Sequence, residues 1–328
     1  MNKPPSRPYT MLIGGAGFIG QHLVPLFQHA GHYIHIIDPV KLYGSSNAVT
    51  DILDVREERQ RRKASAERNS DVFTEQIAEA EYAYPDIMVY LAGVPRHAEV
   101  YRAPIDATES MITELARALE IAASSGTKRF VYVSSSMVYG DFSAPVSEDA
   151  QLDPVGLYAI LKRTGEEMVK DYARRGGFEY VIVRPTAVYG PGDLWNRVVP
   201  QFFVNAIANK ELRVNGVDEV LDFTYVGDTA RGIFLAATVD GAENDTYNIS
   251  YGKATRIHDV AEQVIDLVGS GSIYVTGRQA GFPSRNALDI SRARSKLDYT
   301  PQTDLRTGLE QLHKWITFQA LSKSRSSA

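Results

Sequence analysis

A short apolar run, Tyr9 to Ile13, breaks into Gly14-Gly15-Ala16-Gly17-Phe18-Ile19-Gly20. It passes into a segment, Gln21 to Ala30, where Ile19, Leu23, Leu26 and Phe27 fall at helical spacing. A strand that ends in glycines and feeds directly into a helix is the opening of a βαβ unit, and few architectures accept it. With glycines at 14, 17 and 20, Gly14 permits a tight turn and Gly17 lets the backbone approach a pyrophosphate. Gly20 lets the helix pack on its strand with its first amides facing the anion. A tight turn without ligand is the alternative. The next apolar run, Tyr33 to Ile37, argues against it, because it ends in Asp38. An acid about 20 residues beyond such glycines can bind the adenosine ribose hydroxyls and repels a 2′-phosphate, so NAD is expected over NADP.

The alternation continues. Ala48 to Ile52 reads as a short strand ending near Asp51, a carboxylate that either accepts from an adenine amino group or caps a solvated turn. Residues 56–68 are rich in Arg, Lys and Glu, the composition of a solvated helix face; a lid over an acidic substrate is the lesser reading. Asp86 to Gly93 is a buried strand opening into a loop, and Ser110 to Ala123 is a helix. Phe130 to Val133 is a strand carrying Ser134-Ser135-Ser136 at its end. Val155 to Arg174 is a helix and Tyr180 to Val183 a strand, followed by Arg184-Pro185-Thr186. The fold class implied is α/β, a doubly wound parallel sheet of the Rossmann kind. Past residue 190 the pattern loosens. Helices are expected at Val198 to Ala208, Asp228 to Thr238, Ile257 to Val268 and Leu305 to Phe318, and strands at Leu221 to Val226 and Tyr247 to Ile249. The tail from Ser322 is expected to fray. Residues 1–190 would form the cofactor domain and 191–328 a smaller, partly intertwined α/β substrate lobe, with the chain crossing back between them.

Composition removes several functions. The chain has 328 residues, 44% of them hydrophobic, enough for a large core. It has no cysteine, which excludes disulfides, thiolate metal sites and a cysteine nucleophile; no metal is expected. The net charge of -5 offers no basic footprint for nucleic acid. No apolar run reaches a membrane span and the first residues lack a signal-peptide pattern, so a cytoplasmic protein is expected.

Within Val155 to Arg174, Tyr158 and Lys162 stand one turn apart on one face. An ammonium near a phenol lowers its pKa from about 10, and a phenol so tuned can take a proton from an alcohol. Alone, the spacing equally describes a surface Tyr and a surface Lys. The serine run could hydrogen-bond a substrate oxygen or merely cap its strand.

The glycine turn, Asp38, Leu91-Ala92-Gly93, the serines before Val138-Tyr139-Gly140, and Tyr158-x-x-x-Lys162 occur in this order. Arg184 to Gly192, Asp222-Phe223-Thr224-Tyr225-Val226 and Asp289 to Ala293 follow. Over essentially its whole length the chain resembles the extended short-chain dehydrogenase/reductase family, in its NAD-dependent sugar-nucleotide epimerase/dehydratase branch. The resemblance implies that Tyr158 is the catalytic base, that Lys162 holds the nicotinamide ribose and acidifies Tyr158, and that Ser135 assists, with Ser136 in reserve. It assigns Gly14, Gly17, Phe18, Ile19, Gly20, Asp38, Asp51, Ile52, Leu91, Ala92, Gly93, Pro185 and Val188 to the cofactor. Ser135, Ser136, Met137, Tyr158, Thr186, Arg197 and Arg285 are assigned to the substrate.

Some positions depart from the family. Its 4,6-dehydratases carry an Asp-Glu pair where this chain has Ser136-Met137, and its decarboxylating members also carry a Glu there. Many relatives clamp the substrate diphosphate with an Arg where this chain has Leu221, leaving Arg197, Arg278 or Arg285 to replace it. Thr108 stands where many have an Asn beneath the active site. The reaction expected is epimerisation of a nucleotide-activated sugar, a UDP-hexose or UDP-hexuronate 4-epimerase type, through a transient keto-sugar. A dehydrogenase or ketoreductase of a sugar, sugar acid or nucleotide sugar is the alternative, and a non-catalytic NAD-binding regulator the third. Relatives often dimerise through helices matching 110–123 and 157–174, so a homodimer is expected.

Overall fold

A computed structural model describes residues 7–38, 84–93, 97–193, 197–278 and 282–326. The expected strand at 48–52, with Asp51 and Ile52, and the charged stretch 56–68 lie outside the described residues. The strands are β1 (Tyr9–Ile13), β2 (Tyr33–Ile37), β3 (Ile87–Tyr90), β4 (Arg129–Val133), β5 (Glu179–Pro185), β6 (Val188–Tyr189), β7 (Glu211–Asn215), β8 (Val220–Leu221), β9 (Thr224–Tyr225), β10 (Asp245–Ile249), β11 (Thr255–Arg256) and β12 (Ser272–Thr276). The helices are α1 (Gly20–His29), α2 (His97–Arg102), α3 (Pro104–Thr108), α4 (Glu114–Ser125), α5 (Leu157–Gly176), α6 (Val198–Ile207), α7 (Val226–Thr238), α8 (Ile257–Val268), α9 (Ser291–Leu297) and α10 (Leu305–Ser326).

Six strands form one parallel sheet in the order β10-β5-β4-β3-β1-β2. β1 and β4 are buried at every residue, as strands covered on both faces must be. Alternate side chains serve two cores. Leu12, Val89, Val131 and Val181 pack under α1 and α7, whereas Met11, Met88, Phe130 and Ile182 pack under α4 and α5. A third core, built from α6, β7, α8 and α10 around Phe202, Phe203, Leu212, Val264 and Leu312, fills the C-terminal part. The chain enters this lobe, returns to the sheet through α7 and β10 beside β5, and leaves again. The strand order turns at β1, with β2 on one side and β3 on the other. That is the place where doubly wound sheets leave a crevice at their carboxyl ends.

The local readings need some corrections. A π turn at Glu109–Thr113 separates α3 from α4 inside the expected helix. Leu221 to Val226 is two two-residue strands, and Val226 already begins α7. α5 starts at Leu157 because Gly156, at φ 86°, cannot continue a right-handed helix backward. β7 and β12 pair in parallel with each other, outside the strands that the apolar pattern marks. The last helix continues through Ser326 instead of ending at Phe318.

Candidate active site

The glycine turn is built from backbone contacts that side chains would block. Gly14 sits at φ 84° and donates its N–H to the Ile37 carbonyl at 2.7 Å; a Cβ on it would lie 2.7 Å from the Ala92 nitrogen. Gly20, the first residue of α1, passes so close to Gly15 that a Cβ would stand 2.3 Å from its carbonyl oxygen. The buried Asp38 accepts from the Ala16 N–H at 3.2 Å, so the carboxylate ending β2 is held on the turn. Leu91 and Ala92 donate their N–H groups to the Ile13 carbonyl, which brings the end of β3 against the end of β1.

Ser135 follows β4 and caps a 3₁₀ turn, Ser136–Tyr139, accepting from the Met137 N–H at 3.2 Å. Its hydroxyl neighbours the phenol of Tyr158 and favours the phenolate as a hydrogen-bonding group; Tyr158 stands in the first turn of α5 and packs on the cluster that holds Met111 and Leu161. Burial raises the phenol above its ordinary value, while Ser135 and the cations Arg197 and Arg285 pull it back. The acidification expected from Lys162 is therefore not what the side chains display. The Lys162 ammonium is buried, donates to the Val133 carbonyl at 2.8 Å and lies 5.2 Å from the centre of the Tyr132 ring. Desolvation brings it down to about 8, with Glu166 acting in the opposite sense. Gly93 borders this group: a Cβ there would come 3.5 Å from the Lys162 Nζ.

A sequence model of the NAD dependent epimerase/dehydratase family matches residues 10–250. The chain belongs to this family. A Bacillus subtilis (strain 168) protein described as an uncharacterised UDP-glucose epimerase is 28% identical over 313 residues, covering 91% of this chain and 95% of its own length. A dTDP-glucose 4,6-dehydratase of Escherichia coli is 26% identical over 343 residues, covering 93% of this chain and 92% of its own. The fold is that of the UDP-glucuronic acid 4-epimerase from Bacillus cereus, solved in complex with UDP-glucuronic acid and NAD. It superposes with a TM-score of 0.81 at 23% identity, over 95% of this chain and 99% of that one.

The crevice of this epimerase/dehydratase family member fits NAD. A Cβ on Gly17 would meet only the Gly14 carbonyl, at 3.1 Å, so the turn presents open backbone to a pyrophosphate, with the Asp38 carboxylate on the same turn. Phe18 and Ile19 lead into α1, and Pro185, Thr186 and Val188 are buried where β5 gives way to β6.

Of the substrate candidates, Arg197 pairs with the buried Asp193 at 3.2 Å and stands 5.9 Å above the Phe18 ring. Arg285 is lowered by burial to about 10, opposed by Glu219 and Tyr158. Arg278 binds Glu219 at 3.0 Å and the Phe282 carbonyl. Leu221 packs on the core of the lobe. Thr108, expected beneath the active site, is exposed and donates to the Pro104 carbonyl; the residue of that helical stretch that is buried beside Gly93 is Met111. Sequence reasoning named Ser134 and Arg184 but missed the buried Glu166 that both of them bond behind the site. Its place one turn beyond Lys162 was the local signal.

Proposed function

We propose that the protein is an epimerase of a nucleotide-activated sugar, of the 4-epimerase type that acts on a UDP-hexose or UDP-hexuronate. The observation that carries this reading is the Ser135 hydroxyl on the Tyr158 phenol, with Lys162 one turn along α5, at the carboxyl ends of the strands beside the glycine turn. The relative described as a UDP-glucose epimerase supports it. So do two buried atoms without hydrogen-bond partners, Ser136 Oγ and Arg285 Nε, both from the substrate set. Buried polar atoms are rarely left unsatisfied, and a sugar hydroxyl or an anionic oxygen would satisfy both.

NAD, when bound, supplies a hydride acceptor and donor, so a carbinol carbon can be oxidised and reduced again without net redox change. Gly14, Gly17, Gly20 and Asp38 would hold it. Ser135 and Tyr158 together grip one sugar oxygen, and Tyr158 takes its proton and later returns it. The Ser135 hydroxyl and the cations Arg197 and Arg285 favour the phenolate form of Tyr158 against the desolvation that opposes it. Dehydration would need an acid after the catalytic serine, and the buried Met137 can neither give nor take a proton.

The test is conversion. Protein purified with its own NAD is incubated with UDP-glucose and with UDP-glucuronate, and products are resolved by NMR. Appearance of the 4-epimer without added cofactor supports the reading. Stoichiometric NADH formation, or dependence on added NAD(P)H, would establish the dehydrogenase instead. Retained NAD with no turnover of any nucleotide sugar would establish a regulator. We further propose a homodimer through α4 and α5, where Ile160 is exposed; a monomer by sedimentation at micromolar concentration would refute it.

A further inference from the structure

Behind the Ser135–Tyr158–Lys162 group lies a buried ionic cluster that a binding role alone does not require. Glu166 is fully buried on α5. Its two oxygens accept from Arg184 on β5, Oε1 from Nε at 2.9 Å and Oε2 from Nη2 at 2.7 Å. Oε1 also accepts from the Ser134 hydroxyl at 2.6 Å, and Oε2 from Arg163 at 3.4 Å. Arg184 in turn donates to the Tyr139 hydroxyl at 2.9 Å, which donates to Asn248 on β10 at 2.7 Å. A carboxylate and guanidinium buried this deeply are costly to keep unless the geometry is complete, and replacement by apolar groups is often neutral or stabilising for a fold. Its position suggests what the cluster is retained for. Ser134 precedes Ser135 in the chain, and Glu166 is one helical turn from Lys162.

We propose that Glu166 is a positioning residue: it anchors Ser134, and through the backbone Ser135, and it places a carboxylate one helical turn from the buried Lys162 ammonium as its counter-ion. The groups facing Lys162 leave that task to Glu166. From β4 come the Tyr132 ring and the Val133 carbonyl, from the end of β3 Gly93, and from α5 itself Glu166. On its other side Glu166 holds Arg184, which in turn donates to Tyr139. Burial already brings the ammonium down to about 8, and Glu166 is the anion that opposes this.

The inference rests on the epimerase reading for its kinetic consequence, and the experiment separates the two. In Glu166→Gln holoprotein the Lys162 titration, followed by NMR of lysine-labelled protein and assigned with Lys162→Arg, moves down by about 1 unit or more. The alkaline limb of kcat/KM for the nucleotide sugar moves down with it, while NAD content and substrate KM stay near those of the parent. Ser134→Ala keeps the charge and loses the anchor, so kcat falls severalfold with the Lys162 titration in place. Should Glu166→Gln fail to fold, Glu166→Gln with Arg184→Gln removes both charges and shifts Lys162 in the same direction by less. A Lys162 titration unmoved by removal of Glu166, or a Ser134→Ala enzyme with parental kcat, overturns the proposal. Absence of turnover in the parent would overturn the epimerase reading alone, because the NMR titration is independent of substrate.

Discussion

Gly20→Ala and Gly17→Ala are the same chemical change three residues apart, and the structure assigns them opposite consequences. A Cβ on Gly20 would stand 2.3, 2.6 and 2.7 Å from the oxygen, carbonyl carbon and Cα of Gly15. All three are backbone atoms, so no rotamer relieves the clash. Relaxed contact between such atoms needs about 3.5 Å, so roughly 1 Å of separation must come from moving the turn off α1. Overpacking of this kind costs about 1–3 kcal/mol, partly offset by the better helix propensity of Ala, about 1 kcal/mol, for a net loss of up to about 2 kcal/mol. At Gly17 the added methyl meets only the Gly14 carbonyl, at 3.1 Å. The fold should tolerate it within about 0.5 kcal/mol, as it tolerates most surface changes. The methyl instead occupies the face that a pyrophosphate must approach, and NAD affinity should fall about tenfold or more, a loss of at least about 1.4 kcal/mol. Urea unfolding of NAD-stripped protein isolates the first effect, since bound ligand would otherwise stabilise each variant by mass action. NAD titration isolates the second. Equal unfolding midpoints for the two variants, or parental NAD affinity in Gly17→Ala, would refute the reasoning.

Tyr158→Phe removes the proton acceptor and should lower kcat by about 10²–10⁴-fold while NAD remains with the protein, as read by turnover and by extraction of the cofactor. Asp38→Asn removes the charge that repels a 2′-phosphate, so the NAD/NADP affinity ratio should fall by about tenfold in paired titrations. Glu114, buried on α4, is raised by desolvation to about 7. Since its folded value lies above the unfolded one, its contribution is fully present below the unfolded pKa and is lost as pH rises through 7. Glu114→Gln should therefore be more stable than the parent at pH 8, by up to about 3 kcal/mol, with the difference vanishing near pH 4.5 in urea melts.

Local spacing carried much of this protein. Glycines at 14, 17 and 20 after an apolar strand, an acid ending the next strand, and a Tyr and Lys one turn apart are features that neighbours in the chain impose on one another. The structure places each where backbone geometry requires. The sheet was legible for the same reason, because strands buried on both faces read as unbroken apolar runs. Other features depend on packing between distant segments. β10 returns to the sheet beside β5 because its residues complete a core already formed under α7, a fact that no window around Tyr247 contains. Thr108 and Met111 share a helical stretch, and only the docking of that stretch decides that the methionine is buried beside Gly93 while the threonine faces water. The charge states were the least legible. Tyr158 beside Lys162 suggests an acidified phenol, yet desolvation raises the phenol and lowers the lysine. The anion that restrains Lys162 is itself paired with an arginine from another strand. Sequence sets which groups can meet; the depth at which they are buried sets how each one holds its proton.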